Sequence, residues 1–71
     1  MSGRTAQHVH ELAKLIPKGP PLMQSTFKDE VCLRYQAGQS VLDAVQAATK
    51  SCHAAHPDFE PTYDPRLLGL F

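Results

Sequence analysis

Cys52 and His56 are the residues whose types and spacing come nearest to a reactive pair. Residues four apart share one face of a helix. An imidazole there could take the proton of the thiol and leave a thiolate nucleophile. The same two side chains, joined by His53, could instead face one metal ion, and His8, His10 and Cys32 complete the set of nitrogen and sulfur ligands. A structural zinc site takes four ligands, usually in close pairs. Here the pairing is loose and Cys32 stands alone. Both cysteines are therefore expected to be small core residues and the histidines solvated, with no metal and no cofactor. Other catalytic signatures are missing: the chain has no Gly-x-Ser-x-Gly elbow, phosphate-binding Gly-rich loop or dinucleotide fingerprint. Asp29 and Glu30 are adjacent, so they leave a helix in different directions and cannot easily share a substrate. A catalytic centre needs several supporting groups, and the expectation is that the protein is not an enzyme.

Three helices must carry these residues. The spacing of Val9, Leu12, Ala13 and Ile16 predicts the first over about residues 5–16, with Thr5 as its N-cap and Pro17 as its stop. The Pro17-Lys-Gly-Pro-Pro21 run cannot continue a helix and reads as a stiff linker. A second helix is expected over about 26–37, capped by Ser25 or Thr26, with Asp29 and Glu30 in the first turn where the macrodipole favours acids. Phe27, Val31 and Tyr35 line its apolar face with Cys32 beside them, and Gly38 ends it. A third helix follows over about 40–56. Ser40 and Asp43 form a variant of the capping box, and Val41, Ala44, Val45, Ala48 and Cys52 form a stripe small enough for close helix packing. Pro57 ends it. The expected fold is all-α: a helical domain over 1–56 and an extended, Pro-containing tail over 57–71 with an apolar end.

Composition narrows the partner. The chain has 71 residues, seven basic and seven acidic, and 42% apolar residues. Its size allows one domain of marginal stability, of the kind that gains from a staple or a second copy of itself. Zero formal net charge argues against a dedicated nucleic-acid binder, because phosphate neutralisation dominates that affinity. It also leaves little self-repulsion to oppose association. Trp is absent and only two Tyr and three Phe are present, which makes a large aromatic-lined substrate pocket unexpected. No apolar run reaches the length of a membrane span, and the first residues carry His, Glu and Lys where a signal peptide would be apolar. A cytoplasmic protein with free thiols is expected.

Two short resemblances bear on function. The stretch Arg34-Tyr-Gln-Ala-Gly-Gln-Ser-Val-Leu-Asp-Ala-Val-Gln-Ala-Ala48 resembles the first two helices of some helix-turn-helix DNA-binding domains. The resemblance implies a turn at Thr49-Lys50-Ser51 and a recognition helix from Cys52 to His56. Pro57 would cut that helix short, and only His53 and His56 would be offered to a groove. At the other end, Leu67-Leu68-Gly69-Leu70-Phe71 is similar to the peptide by which bacterial polymerases and repair proteins dock on the sliding clamp. That motif reads Gln-Leu-x-Leu-Phe; Leu68, Leu70 and Phe71 match, and Leu67 stands in place of the Gln. The resemblance implies a Leu-Phe anchor for an apolar pocket. The competing reading, favoured for this position, is that the cluster folds back to complete a core.

The reading that results is a non-catalytic protein-interaction module: an inhibitor, adaptor or accessory subunit that binds a protein partner through helix faces and the tail. A homodimer is expected as well, and a helix-turn-helix-like DNA-binding regulator is the alternative. Stand-alone proteins of this kind are frequent in phage and mobile elements, so a phage origin belongs with the expectation. Aromatic and Arg side chains dominate interface energetics, so the expected contact residues are Tyr35, Phe59, Tyr63, Arg66, Leu68, Leu70 and Phe71.

Overall fold

The computed structural model describes residues 6–20 and 23–70. The chain is a small all-α domain of three helices closed by a C-terminal 3-10 turn. The helices are α1 (Ala6–Lys14), α2 (Gln24–Gln36) and α3 (Val41–Ala55), and the turn is η1 (Pro65–Gly69). The expected Thr5 cap, Pro21 at the end of the linker and Phe71 of the Leu-Phe pair lie outside the described residues.

α1 loosens before Pro17. The amides of Leu15 and Ile16 donate three residues back, to the carbonyls of Leu12 at 3.1 Å and Ala13 at 3.2 Å. A proline disfavours helical backbone at the residue before it, which accounts for the change. Leu12 and Ile16 are buried.

α2 begins two residues earlier than its sequence predicts. Ser25 and Thr26, the expected caps, are exposed residues of its first turn. Met23 holds the N-cap position with left-handed backbone at φ 85°, and no side-chain hydrogen bond caps the helix. Asp29 and Glu30 consequently lie beyond the first turn, where Glu30 pairs instead with Arg34 Nε at 2.6 Å. The physical reason is Gln24, which the early start places on the buried face with Phe27, Val31 and Tyr35. A left-handed non-glycine residue costs on the order of 1–3 kcal/mol, and the contacts of Gln24 offset it.

The α2–α3 turn follows the sequence closely. Gly38 adopts φ 115°, which an L side chain rarely tolerates. Its amide donates to the Tyr35 carbonyl at 3.1 Å, and the Gln39 amide reaches the Arg34 carbonyl at 3.1 Å. This is a Schellman closure of α2. The Ser40 hydroxyl accepts from the Asp43 amide at 3.1 Å and opens α3. Val41, Ala44, Val45, Ala48 and Cys52 are all buried on one stripe.

The core does not stop at α3. Phe59 and Leu67 are buried with the helical residues in one cluster. Phe27 meets the Phe59 ring at 6.3 Å and stacks on the Tyr63 ring at 5.8 Å. Among the described residues, four polar contacts hold the segment after Pro57 in place, besides the turn bond from the Phe59 amide to the His56 carbonyl at 3.0 Å. His53 Nε2 donates to the Phe59 carbonyl at 2.6 Å, which fixes the tautomer with hydrogen on that nitrogen. The Asp64 amide donates to the Leu15 carbonyl at 2.8 Å. The other two belong to Gln24, whose side chain is fully buried. Gln24 Nε2 donates to the Thr62 carbonyl at 2.7 Å, and Gln24 Oε1 accepts from the Thr62 amide at 3.0 Å. The second hydrogen of Nε2 goes to the Pro17 carbonyl at 2.8 Å.

Gln24→Ala is expected to destabilise the domain by roughly 2–4 kcal/mol, because it leaves buried backbone groups unpaired and opens a cavity. Chemical denaturation checks this. Gln24→Glu provides the control, since an ionised carboxylate can accept from Thr62 but can donate to neither carbonyl. That variant should gain stability relative to the parent as pH falls and its carboxyl is protonated.

Candidate functional site

The outer face of α3 and the returning tail enclose an open groove of about 410 Å³. Leu42, Val45, Gln46, Thr49, Lys50 and His53 of α3 form its floor, and Tyr63 and Leu68 form its wall. These α3 positions recur three or four residues apart, so they share one face of the helix. The wall stands because Gln24 and Asp64 pin the tail on either side of Tyr63, while Pro65 and the Asp64 cap start the turn that carries Leu68. Leu42 and Leu68 remain 46% and 44% exposed, the largest apolar surfaces at the groove. Lys50 is the one fully charged side chain of the lining, which holds no carboxylate.

A smaller hollow of about 320 Å³ lies between α1 and the tail, lined by Glu11, Lys14, Leu15, Arg66 and Leu70. Its charges are largely mutual. Lys14 lies 3.6 Å from Glu11, and Arg66 grips Asp64 through Nε and Nη2, the latter at 2.8 Å. Hydrogen bonds from the Arg66 side chain and amide hold the Asp64 carboxyl down to about 2, and the same contact raises Arg66.

The expected contact residues therefore separate. Tyr63 and Leu68 face the groove; Arg66 and Leu70 line the hollow. Tyr35 and Phe59 are buried in the core, and Phe71 is outside the described residues. The helix-turn-helix resemblance covers these α3 positions but does not gather Leu42 and the polar side of α3 into one face; only their helical spacing, read as an exposed second stripe, could have pointed there.

The reactive pair of the sequence is not assembled as a site. Cys52 is buried, and burial, then the Glu30 carboxylate, pushes its thiol up. Its contact with His56 runs through backbone, the His56 amide donating to the Cys52 carbonyl at 2.8 Å. Cys32 is half-buried and its thiol is also raised, chiefly by burial. Raised thiols hold little thiolate near neutrality, which works against nucleophilic attack. Among the described residues, no group of three or more His, Cys, Asp or Glu is placed to hold a metal ion.

The two resemblances meet the geometry differently. α3 is continuous through Thr49, Lys50 and Ser51, so no turn divides a scaffold helix from a recognition helix there. In the clamp-like peptide Leu67 is wholly buried, Leu68 lies within η1, and the Leu70 amide bonds back to the Leu67 carbonyl at 3.1 Å. Leu67 completes the core of its own domain and Leu70 packs against that core, while Leu68 stays exposed. No helix among the described residues is long and apolar enough to cross a membrane. Comparison with family models, curated proteins and solved structures finds no match for the chain.

The Asp64–Arg66 contact gives a pH dependence with a defined sign. A carboxyl held below its ordinary value binds its proton more weakly in the folded state. Its contribution is fully present above the ordinary value of 3.8 and is lost as pH falls toward about 2. Acid titration of stability should show this loss in the parent chain, and Asp64→Asn should remove that component.

Proposed function

We propose that the chain is a non-catalytic protein-interaction module, of the inhibitor, adaptor or accessory-subunit kind, which docks a protein partner in the groove between α3 and the tail. The observation that carries this reading is the placement of Leu42 and Leu68. Two large apolar side chains stand nearly half exposed at a concave surface, in a domain whose other large apolar residues are mostly in its core. Interfaces concentrate their energy in a few such anchors surrounded by a polar rim, and Gln46, Thr49, Lys50 and His53 supply that rim. A groove floored by one helix and walled by an ordered strap suits an amphipathic helix laid along it. Leu33 on α2 is exposed as well, but it lines neither the groove nor the hollow between α1 and the tail.

The test uses isotope-labelled full chain and a partner purified after capture. Amide shifts should concentrate at Leu42, Thr49, His53 and Leu68. Leu42→Asp and Leu68→Asp should each weaken binding about tenfold or more with helicity unchanged by circular dichroism, since both side chains are already half in water. Shifts confined to other faces would contradict the reading. So would binding of duplex DNA with a steep salt dependence in place of protein.

A further inference from the structure

We infer that the occupant of the α3 groove is a second copy of the same chain, with the two α3 helices packed antiparallel across a twofold axis. The inference rests on the groove being a docking surface, as argued above, and names what fills it.

The argument begins with charge. Asp43 and Lys50 are both exposed on α3, and neither has an ion-pair partner among the described residues. They are seven residues apart, close to two helical turns, so they project from the same flank with about 10 Å between them along the axis. Two identical helices related by a twofold axis perpendicular to both bring the same flank of each together, with the sequence running in opposite directions. Centring that axis between Gln46 and Ala47 sets Asp43 of each copy against Lys50 of the other, so one arrangement satisfies both charges twice. Tyr63 and Leu68 line the same groove from the tail. In this register Leu42 of each copy falls between Thr49 and His53 of the other, within the groove. The surface is thus complementary to itself in charge. The zero net charge of the chain adds no long-range repulsion to oppose the pairing.

Sedimentation equilibrium of the full chain, up to about 1 mM where even a weak interface is populated, tests the inference through charge reversal. Asp43→Lys and Lys50→Asp should each weaken self-association about tenfold or more, because each turns two attractive contacts into repulsive ones. An equimolar mixture of the two variants should associate as a heterodimer near the parental strength, and the doubly swapped chain should regain self-association. Leu68→Asp, which removes an apolar wall without touching this charge pair, should also give monomer. Restored pairing in the mixture identifies the antiparallel register and supports the inference. A parent chain that stays monomeric throughout would overturn the second copy as occupant. The partner-shift experiment above would still decide the groove reading separately. A dimer indifferent to all these substitutions would place self-association on another face and overturn the inference as well.

Discussion

The Gln24 carboxamide is fully buried, and every polar atom it carries is bound to backbone outside its own helix. With the Thr62 amide and carbonyl it forms the pair of contacts that a neighbouring strand would make, and with the Pro17 carbonyl it reaches the linker. Three separate parts of the chain meet at this one side chain: the exit from α1, the start of α2 and the returning tail. A buried amide left unpaired would be costly, so the three must come together or not at all. The early start of α2 and the left-handed Met23 follow from it, because only that register places the amide inside. The groove follows too, since its wall is the segment that Gln24 fixes.

Apolar surface makes this arrangement worthwhile. Three short helices of this length give a thin core, and small domains have little surface to bury. Phe59 and Leu67 extend the core past Pro57, and Phe27 sits between the rings of Phe59 and Tyr63. The prolines of the tail serve this role well. They stiffen a segment that must cross α1 and α3 without forming a helix, and Pro65 begins the 3-10 turn that turns Leu67 inward.

The helical part of the fold was legible in the sequence because local rules decide it. Ser40 with Asp43, Gly38 and the stripe from Val41 to Cys52 each act within a few residues, and all appear as read. The α2 start was not legible. Ser25 and Thr26 are better caps than Met23 by local preference, and Gln24 overrides them through contacts 38 residues away. The tail was legible only in composition. Its apolar end supported both a docking peptide and a core-completing turn, and the choice depends on the packing of Phe59 and Leu67 against α2 and α3. The groove had the weakest signal of all. The helix-turn-helix resemblance divides Leu42, Thr49 and His53 among a helix, a turn and a second helix, and their common face acquires meaning only on one continuous α3 beside a wall supplied by the other end of the chain.

The central claim is that the tail is part of the cooperative fold, held by Gln24. Native-state hydrogen exchange at the Thr62 and Asp64 amides tests it most directly, because each donates across the tail boundary, to Gln24 and to the Leu15 carbonyl. The account predicts that both exchange only through global unfolding, with the same opening free energy as core amides of α2 and α3. Free exchange at Thr62 and Asp64 while the helices stay protected would contradict it, and would make the tail a separate arm lying on an independently stable bundle.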